Sequence, residues 1–383
     1  MNLSSGAMPE NLKPLSIRGR ILAVIASKIA STATRTWLMR FPMTRWLVNR
    51  ETEQLFDLCG GFVYSQVLFA FVEADLMKGL SMGPAHINNL ACAAKLSPER
   101  LGRLLQAACS LGLTHSLGEG MYCLGIKGAA LVDNPGVIAM IKHHAHLYQD
   151  LADPLTLLRD PNVRTRLSTF WSYLADDPVR SMTTDSTSTY SDLMAESQTM
   201  ISEVICSSIK FNVYRKVLDI GGGKGVFANH IVKASPGTRV TVFDLPEVIR
   251  VFEQDGKKPD KSCRIDKIGG NFFEDAIPAG YDLITLVRVL FDHSDENVLK
   301  LLTRIYKAIN PQGTLLIAEP FSSEQGADRI ADAYFNMYLL AMGDGQVRTF
   351  ARHSELLRAA GFRSINLVRS VSPSLARIIM AQP

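Results

Sequence analysis

Residues 217–232 read VLDIGGGKGVFANHIV, and the fold of the chain turns on them. An apolar, β-rich run closes on Asp219 and Ile220. Gly221, Gly222, Gly223 and Gly225 follow, and a helical pattern begins at once. Glycine is needed where a strand turns sharply into a helix and a ligand must approach the backbone more closely than a Cβ permits. A glycine loop alone does not name its ligand. Its surroundings narrow the choice. Asp219 stands two residues before the first glycine, suited to a cationic amino group instead of a diphosphate. No lysine–serine or lysine–threonine pair closes the loop, which argues against a nucleotide triphosphate site. Nineteen residues beyond Gly225, Asp244 ends the next strand in VFDLP, where a carboxylate accepts both hydroxyls of a ribose.

The same grammar continues outward from the loop. KVLDI, RVTVFD, CRIDKI, YDLITLV and TLLIAE are short β-rich runs separated by segments of helical length. This alternation predicts an α/β class with a Rossmann-like, doubly wound parallel sheet, whose ligands sit beyond the carboxyl ends of the strands.

Before residue 212 the pattern is helical. FVYSQVLFAFVEADLMKGL (62–80) is apolar almost all round and suits a buried or dimer-interface helix. HINNLACAAKLSPERLGRLLQAACSLGL reads as helix, turn and helix with Ser97 as a cap, and THSLGEGMYCLG as a hairpin. Together they predict a winged helix. A DNA-reading helix needs a basic footprint, yet residues 97–111 offer only Arg100 and Arg103 against Glu99. The structural use of the element is favoured, with no nucleic acid as partner; a cofactor- or pigment-sensing regulator is the non-enzymatic alternative. The Ser/Thr-rich stretch at 181–191 reads as a loop. The resulting domains are a basic arm (1–50), a helical winged-helix dimerisation and substrate domain (51–205) and a sheet domain (206–383).

The chain has 383 residues and a net charge of +4, with the excess concentrated at its start. Residues 1–50 hold eight basic side chains against one acid, Glu10. Interleaved with apolar residues, Trp37 and Trp46 among them, this arm suits either an anionic membrane surface or packing on the body of the protein. No uninterrupted apolar run approaches the ~18 residues of a membrane span, and the polar first residues do not read as a signal peptide. Six scattered cysteines without a CxxC pair read as reduced core residues of a cytoplasmic protein.

LDIGGGKG, FDLPEVI, GGNFFE, RVLFDHSDE, GTLLIAEP and LLRAAGF occur in the order of the small-molecule O-methyltransferases that carry a winged-helix dimerisation domain, and over residues 50–383 the chain resembles them. LFDLCGGFVYSQVL and HHAHLYQDLADPLTLLRD are most similar to the carotenoid-modifying branch, which acts on demethylspheroidene or hydroxyneurosporene. The resemblance implies a homodimer that uses S-adenosyl-L-methionine to methylate the tertiary hydroxyl of a 1-hydroxy acyclic carotenoid. A bacteriochlorophyll-type ring or a phenolic compound is the alternative acceptor. It also implies that Gly221 and Gly223 cradle the methionine part, Asp244 the ribose, and Asn271, Phe272 and Arg288 the adenine side.

One segment departs from the pattern. Relatives read LHDW where this chain has LFDH, so Phe291 stands in the place of their histidine base and His293 in that of their tryptophan. Val347 replaces one of two orienting acids, while Glu319 retains the other. An aliphatic alcohol cannot ionise beforehand; a positioned base contributes typically ~10²–10⁴-fold, and alignment can supply more. His293, with Asp292 to hold its tautomer, is one candidate base; packing against the cofactor and exposure beside a helix start are the others. DHSD lacks a third ligand at helical spacing, so no metal is expected. His143 and His146, one turn apart, with Tyr148 and Leu340, are candidates for the acceptor pocket.

Overall fold

The computed structural model describes residues 16–170, 198–254, 264–323, 329–343 and 345–383. The Ser/Thr-rich stretch at 181–191, Cys263 and the first fifteen residues lie outside the described residues. The chain forms two compact units, divided between Ala70 and Phe71.

The first unit is helical. Ile17–Ala30 and Thr32–Arg40 precede a long helix, Pro42–Glu73, which ends beyond the unit boundary. Ser16 caps the first of these by accepting from the Gly19 N–H at 3.1 Å. Along the long helix Leu55, Phe56, Leu58 and Phe62 all face solvent, Phe56 at 72% and Phe62 at 73% exposure. An apolar surface of this size on one protomer is the mark of an interface. The expected single helix over 62–80 is broken, because Asp75 adopts a left-handed backbone and starts a second helix, Leu76–Ser81. No uninterrupted apolar run in the long helix reaches the length of a membrane span, but by length and average composition the helix passes as one. An 18-residue window in it reaches a mean hydropathy of 1.6, since isolated polar residues interrupt the run without lowering its average much. Cys59 and Cys92 are exposed, contrary to the reading of all the cysteines as core residues.

The second unit opens with the winged helix. Helices Ile87–Ala94 and Pro98–Ser110 meet at Lys95, which is left-handed, and Ser97 accepts from the Arg100 N–H. The wing, β2 (Thr114–Gly118) and β3 (Met121–Leu124), gains a third strand, β1 (Ala85–His86), to give the order β1-β3-β2. Arg103 pairs with Glu99 at 3.2 Å.

The sheet that follows contains β4 (Lys216–Ile220), β5 (Arg239–Asp244), β6 (Ile265–Gly269), β7 (Leu283–Val287), β8 (Thr314–Glu319), β9 (Ser364–Val368) and β10 (Arg377–Gln382). Their order is β6-β5-β4-β7-β8-β10-β9. β4 to β8 are parallel, as the alternation predicts, but β10 inserts antiparallel between β8 and β9, so the sheet is mixed. Two-residue periodicity sorts the side chains. Leu218 and Ile220 pack on one face with Leu286 and Ile305, while Val217 packs on the other with Val242 and Phe227. A helix over 198–208 joins that second face through Ile201, Val204 and Ile205.

If the apolar face of Pro42–Glu73 is an interface between copies, the protein is expected to sediment as a dimer at low micromolar concentration. Fully burying one large side chain contributes about 1.5–3 kcal/mol. Replacing Phe56 and Phe62 together by Glu should therefore weaken self-association by at least ~10²-fold in analytical ultracentrifugation. An unchanged mass at every concentration would remove this face from the interface.

Candidate active site

The strands β4, β5 and β7 end at one edge, where their neighbours diverge on either side of β4. At this edge the chain leaves β4 through Gly221, at φ +69°, and a Cβ there would lie 2.8 Å from Val289. At Gly222 a Cβ would come within 2.5 Å of Asp219 Oδ2. Both glycines are thus required by sterics, one by the turn and one by the carboxylate beneath it.

Asp219 is 1% exposed. Thr285 Oγ1, from β7, donates to its Oδ1 at 2.7 Å, and Oδ2 has no hydrogen-bond partner among the described residues. Burial pushes its carboxyl up to about 7; the Thr285 bond opposes that shift and the neighbouring Asp244 adds to it. Asp244 accepts from the Gly223 N–H at 2.8 Å and from the Leu245 N–H at 2.7 Å. Its carboxyl is pushed up to about 6 by burial, against the pull of those two donors. An unmet buried oxygen beneath a glycine turn, with a second carboxylate beside it, fits a ligand that brings a cation next to a diol.

The adenine-side candidates gather around β6 and the turn after β7. Asn271 Oδ1 accepts from the Phe273 N–H at 2.9 Å, so one of its lone pairs is held by a local turn. Phe272 packs edge-on against Phe273, with ring centroids 4.7 Å apart. Arg288 is left-handed, at φ +57°, and its guanidinium lies 5.8 Å from the centre of the Phe291 ring.

The turn Leu290–His293 is anchored through its backbone. Glu319 accepts from the Phe291 N–H at 3.1 Å, and the Gln346 N–H donates to the Phe291 carbonyl at 2.8 Å. Arg348, 2% exposed, donates to the carbonyls of Leu290 (2.9 Å) and His293 (2.6 Å) and to Asp295 (2.6 Å). Glu319 also lies 3.3 Å from the buried His353 ring. Composition and spacing single out neither Arg348 nor His353; the only signal was Arg348's place in the GDGQVRT segment.

This anchoring sends residues 291 and 293 in different directions. The His293 ring packs edge-on against Phe272 and Phe273, at 5.8 and 5.1 Å. Burial, helped by the charge of Arg348, lowers its pKa to about 4. Asp292 itself is buried in the turn. Phe291 faces the opposite way, into an apolar cluster of Leu147, Leu157, Leu167, Tyr338, Leu339 and Met342, with Leu340 at its margin. The helix Pro135–Asp150 forms one wall. There His143 Nε2 shares a hydrogen bond with Tyr338 Oη (2.8 Å), and His146 packs against the His143 ring at 5.5 Å. His144 Nε2 shares one with Tyr334 Oη at 2.7 Å, and Tyr148 lies edge-on to His144. His144 belongs to the same histidine cluster that the sequence offers for the acceptor pocket; Tyr334 and Tyr338 are singled out by nothing in the sequence beyond their place in the apolar run DAYFNMYLLAMG (332–343).

The geometry agrees with what the chain is similar to. Residues 148–363 match the model of the O-methyltransferase domain, and residues 56–126 match that of the O-methyltransferase dimerisation domain. Demethylspheroidene O-methyltransferase of Cereibacter sphaeroides is 38% identical over 89% of this chain and 90% of its own length. The enzyme of the same name from Rhodobacter capsulatus is 36% identical over 90% and 85%. The crystal structure of human N-acetylserotonin methyltransferase in complex with SAM superposes with a TM-score of 0.74 at 25% identity, covering 87% of this chain and 97% of that one. The dimerisation match takes in Phe56, Leu58 and Phe62 of the exposed face of the long helix, and the O-methyltransferase match takes in Glu319, Gln346 and Arg348, which anchor the Leu290–His293 turn. The chain belongs to the O-methyltransferase family.

Proposed function

We propose that this enzyme transfers the methyl group of S-adenosylmethionine to the tertiary hydroxyl of a 1-hydroxy acyclic carotenoid. The observation that carries the reading is 38% identity along nine-tenths of the chain to a demethylspheroidene O-methyltransferase. The apolar cluster around Phe291, with its few embedded hydroxyl and imidazole groups, suits a long polyene ending in an alcohol. When bound, the cofactor supplies an electrophilic methyl group on a sulfonium. Asp219 receives its ammonium group, the backbone at Gly221 and Gly223 lies along its methionine part, and Asp244 takes the ribose hydroxyls. Phe272, with Asn271 and Arg288, lines the adenine side. His293 belongs to that side, packed on Phe272, and not to the acceptor side; Glu319 acts by holding the Phe291 backbone, and Asp292 by filling the turn. His143, His146, Tyr148 and Leu340 line the acceptor side. Two copies pair through the dimerisation domain, and the division into an arm (1–50), a helical domain (51–205) and a sheet domain (206–383) belongs to the same proposal.

We further propose that the enzyme works in the cytoplasm, where the arm holds it against the inner membrane. In the described part of the arm Ile17, Ile21, Leu22, Ile25, Trp37 and Trp46 are exposed among Arg18, Arg20, Lys28 and Arg35. Such a surface gains from both acyl chains and anionic headgroups. It should co-sediment with vesicles containing anionic lipid and release them in high salt; equal binding to neutral vesicles, or none to either, would overturn this.

Purified protein with methyl-labelled S-adenosylmethionine is expected to label a detergent-dispersed 1-hydroxy acyclic carotenoid and not a chlorophyllide or a catechol. Label in either of the last two would replace the acceptor. Salt-sensitive binding to duplex DNA without methylation would favour a regulator.

The raised carboxyls predict the pH dependence of cofactor affinity. Without ligand, Asp219 titrates at about 7 and Asp244 at about 6. A bound cation favours the carboxylates, so binding should release protons and tighten as pH rises from 5 to 8. Calorimetry in buffers of different ionisation enthalpy would read this release; proton uptake would refute it. In the same titration His293→Ala should weaken binding by roughly 2–10-fold, the range of one aromatic contact, and leave the single-turnover rate unchanged. A slowed turnover at saturating cofactor would instead make His293 the base.

A further inference from the structure

The acceptor side contains two hydroxyl–imidazole pairs that the reading above leaves without a chemical role. Tyr334 and Tyr338 lie one helical turn apart, with ring centroids at 5.8 Å, and face His144 and His143 respectively. The pairs differ in what lies beside them. His143–Tyr338 is enclosed in the apolar cluster. Tyr334 adjoins the cofactor loops. Its neighbour Phe335 packs edge-on against Phe291 at 6.2 Å. The Arg288 guanidinium acts on its phenol, and Val289, next along the chain, is the residue that a Cβ on Gly221 would strike. Ring contacts therefore lead from Arg288 to Phe291 and from Phe291 to Phe335, the neighbour of Tyr334, whose hydroxyl meets His144.

We infer that Tyr334 and His144 form the proton-accepting pair for the acceptor hydroxyl. The inference rests on the proposal that the acceptor is an aliphatic alcohol. Tyr334 Oη can donate either to His144 Nε2 at 2.7 Å or to Met140 Sδ at 3.7 Å. An imidazole nitrogen without a proton is much the stronger acceptor, so in the tautomer that the inference requires the hydroxyl points to His144 and leaves its own lone pairs for the substrate. As the acceptor oxygen forms its bond to the methyl carbon, the sulfur–carbon bond breaks and its electron pair stays on sulfur. The acceptor's proton passes to Tyr334 Oη, and the proton of Tyr334 passes to His144 Nε2. The products are the ether, the thioether and an imidazolium. Positive charge is thus moved from sulfonium to imidazolium within the site, with no net change.

The surroundings suit both starting states. Burial pushes the Tyr334 phenol up, with Arg288 opposing and Tyr148 adding, which keeps it protonated. Burial also holds His144 below the ordinary imidazole range, so it is neutral at pH 7 and has an open lone pair. The titratable groups around the pair are His143, His146 and Tyr148 on the helix of His144, and Arg288 and Tyr338 opposite.

The test combines nitrogen NMR of the full-length protein with steady-state kinetics on the carotenoid alcohol. His144 Nε2 should carry no proton at pH 7. The kcat of the unaltered enzyme should be flat near neutrality and fall with acid, with an apparent pKa below 6.5. Tyr334→Phe and His144→Gln should each lower kcat by about 10²-fold or more, with KM and cofactor affinity within about threefold, and the acid limb should vanish in His144→Gln. A protonated Nε2, an acid limb that survives in His144→Gln, or a kcat within threefold in either folded variant would overturn the pair. The first observation and the wild-type profile need no variant, so they decide the matter even if a substitution unfolds the protein. An unaltered enzyme that binds cofactor but never methylates the alcohol would remove the acceptor reading, and this inference with it.

Discussion

A carboxyl group buried beneath a glycine turn sets the terms for the rest of the site. Asp219 is carried into the interior by β4 and meets a hydroxyl from β7 on one oxygen, while the other lies unmet under Gly222. Leaving such a group without a partner costs on the order of 1–3 kcal/mol. The sheet can hold it because β4 and β7 are packed on both faces. Three features follow from that placement. Gly222 cannot carry a side chain, β7 must present Thr285 at this register, and the ligand that completes the group must bring a positive charge.

That part of the molecule was legible in the sequence because it depends on local rules. Glycines after a strand, a carboxylate at the end of the next strand and two-residue alternation are all short-range signals, and Asp219, Gly221 and Asp244 meet at one edge as those signals imply. The winged helix was legible for the same reason, with Ser97 capping its second helix. The strands β9 and β10 were not. Their insertion against β8 is a matter of long-range pairing, and INLV and RIIMA do not state their partners. The long helix was read in the right place but with the wrong bounds, because left-handed Asp75 is an aspartate that no spacing rule marks as a break.

The catalytic side shows where reading by position reaches its limit. A histidine two places from an expected base was an obvious substitute on paper, since distance along the chain was the only distance available. In the folded chain the turn Leu290–His293 puts residue 291 toward the apolar cluster and residue 293 toward Phe272 and Phe273. Two residues along the chain become two sides of a wall. The hydroxyl and imidazole groups that pair beside the apolar cluster come from segments some 190 residues apart in sequence, which no motif links.

The anchoring of that wall bears on how such enzymes diverge. Glu319, Gln346 and Arg348 grip the amide and carbonyl of Phe291 and the carbonyls of Leu290 and His293, atoms that every amino acid except proline provides. The turn is therefore indifferent to the identity of the side chains it displays. Mutation at 291 or 293 can exchange a titratable group for an aromatic one without disturbing the frame, so a lineage can discard one chemistry and recruit another while the polypeptide keeps its shape.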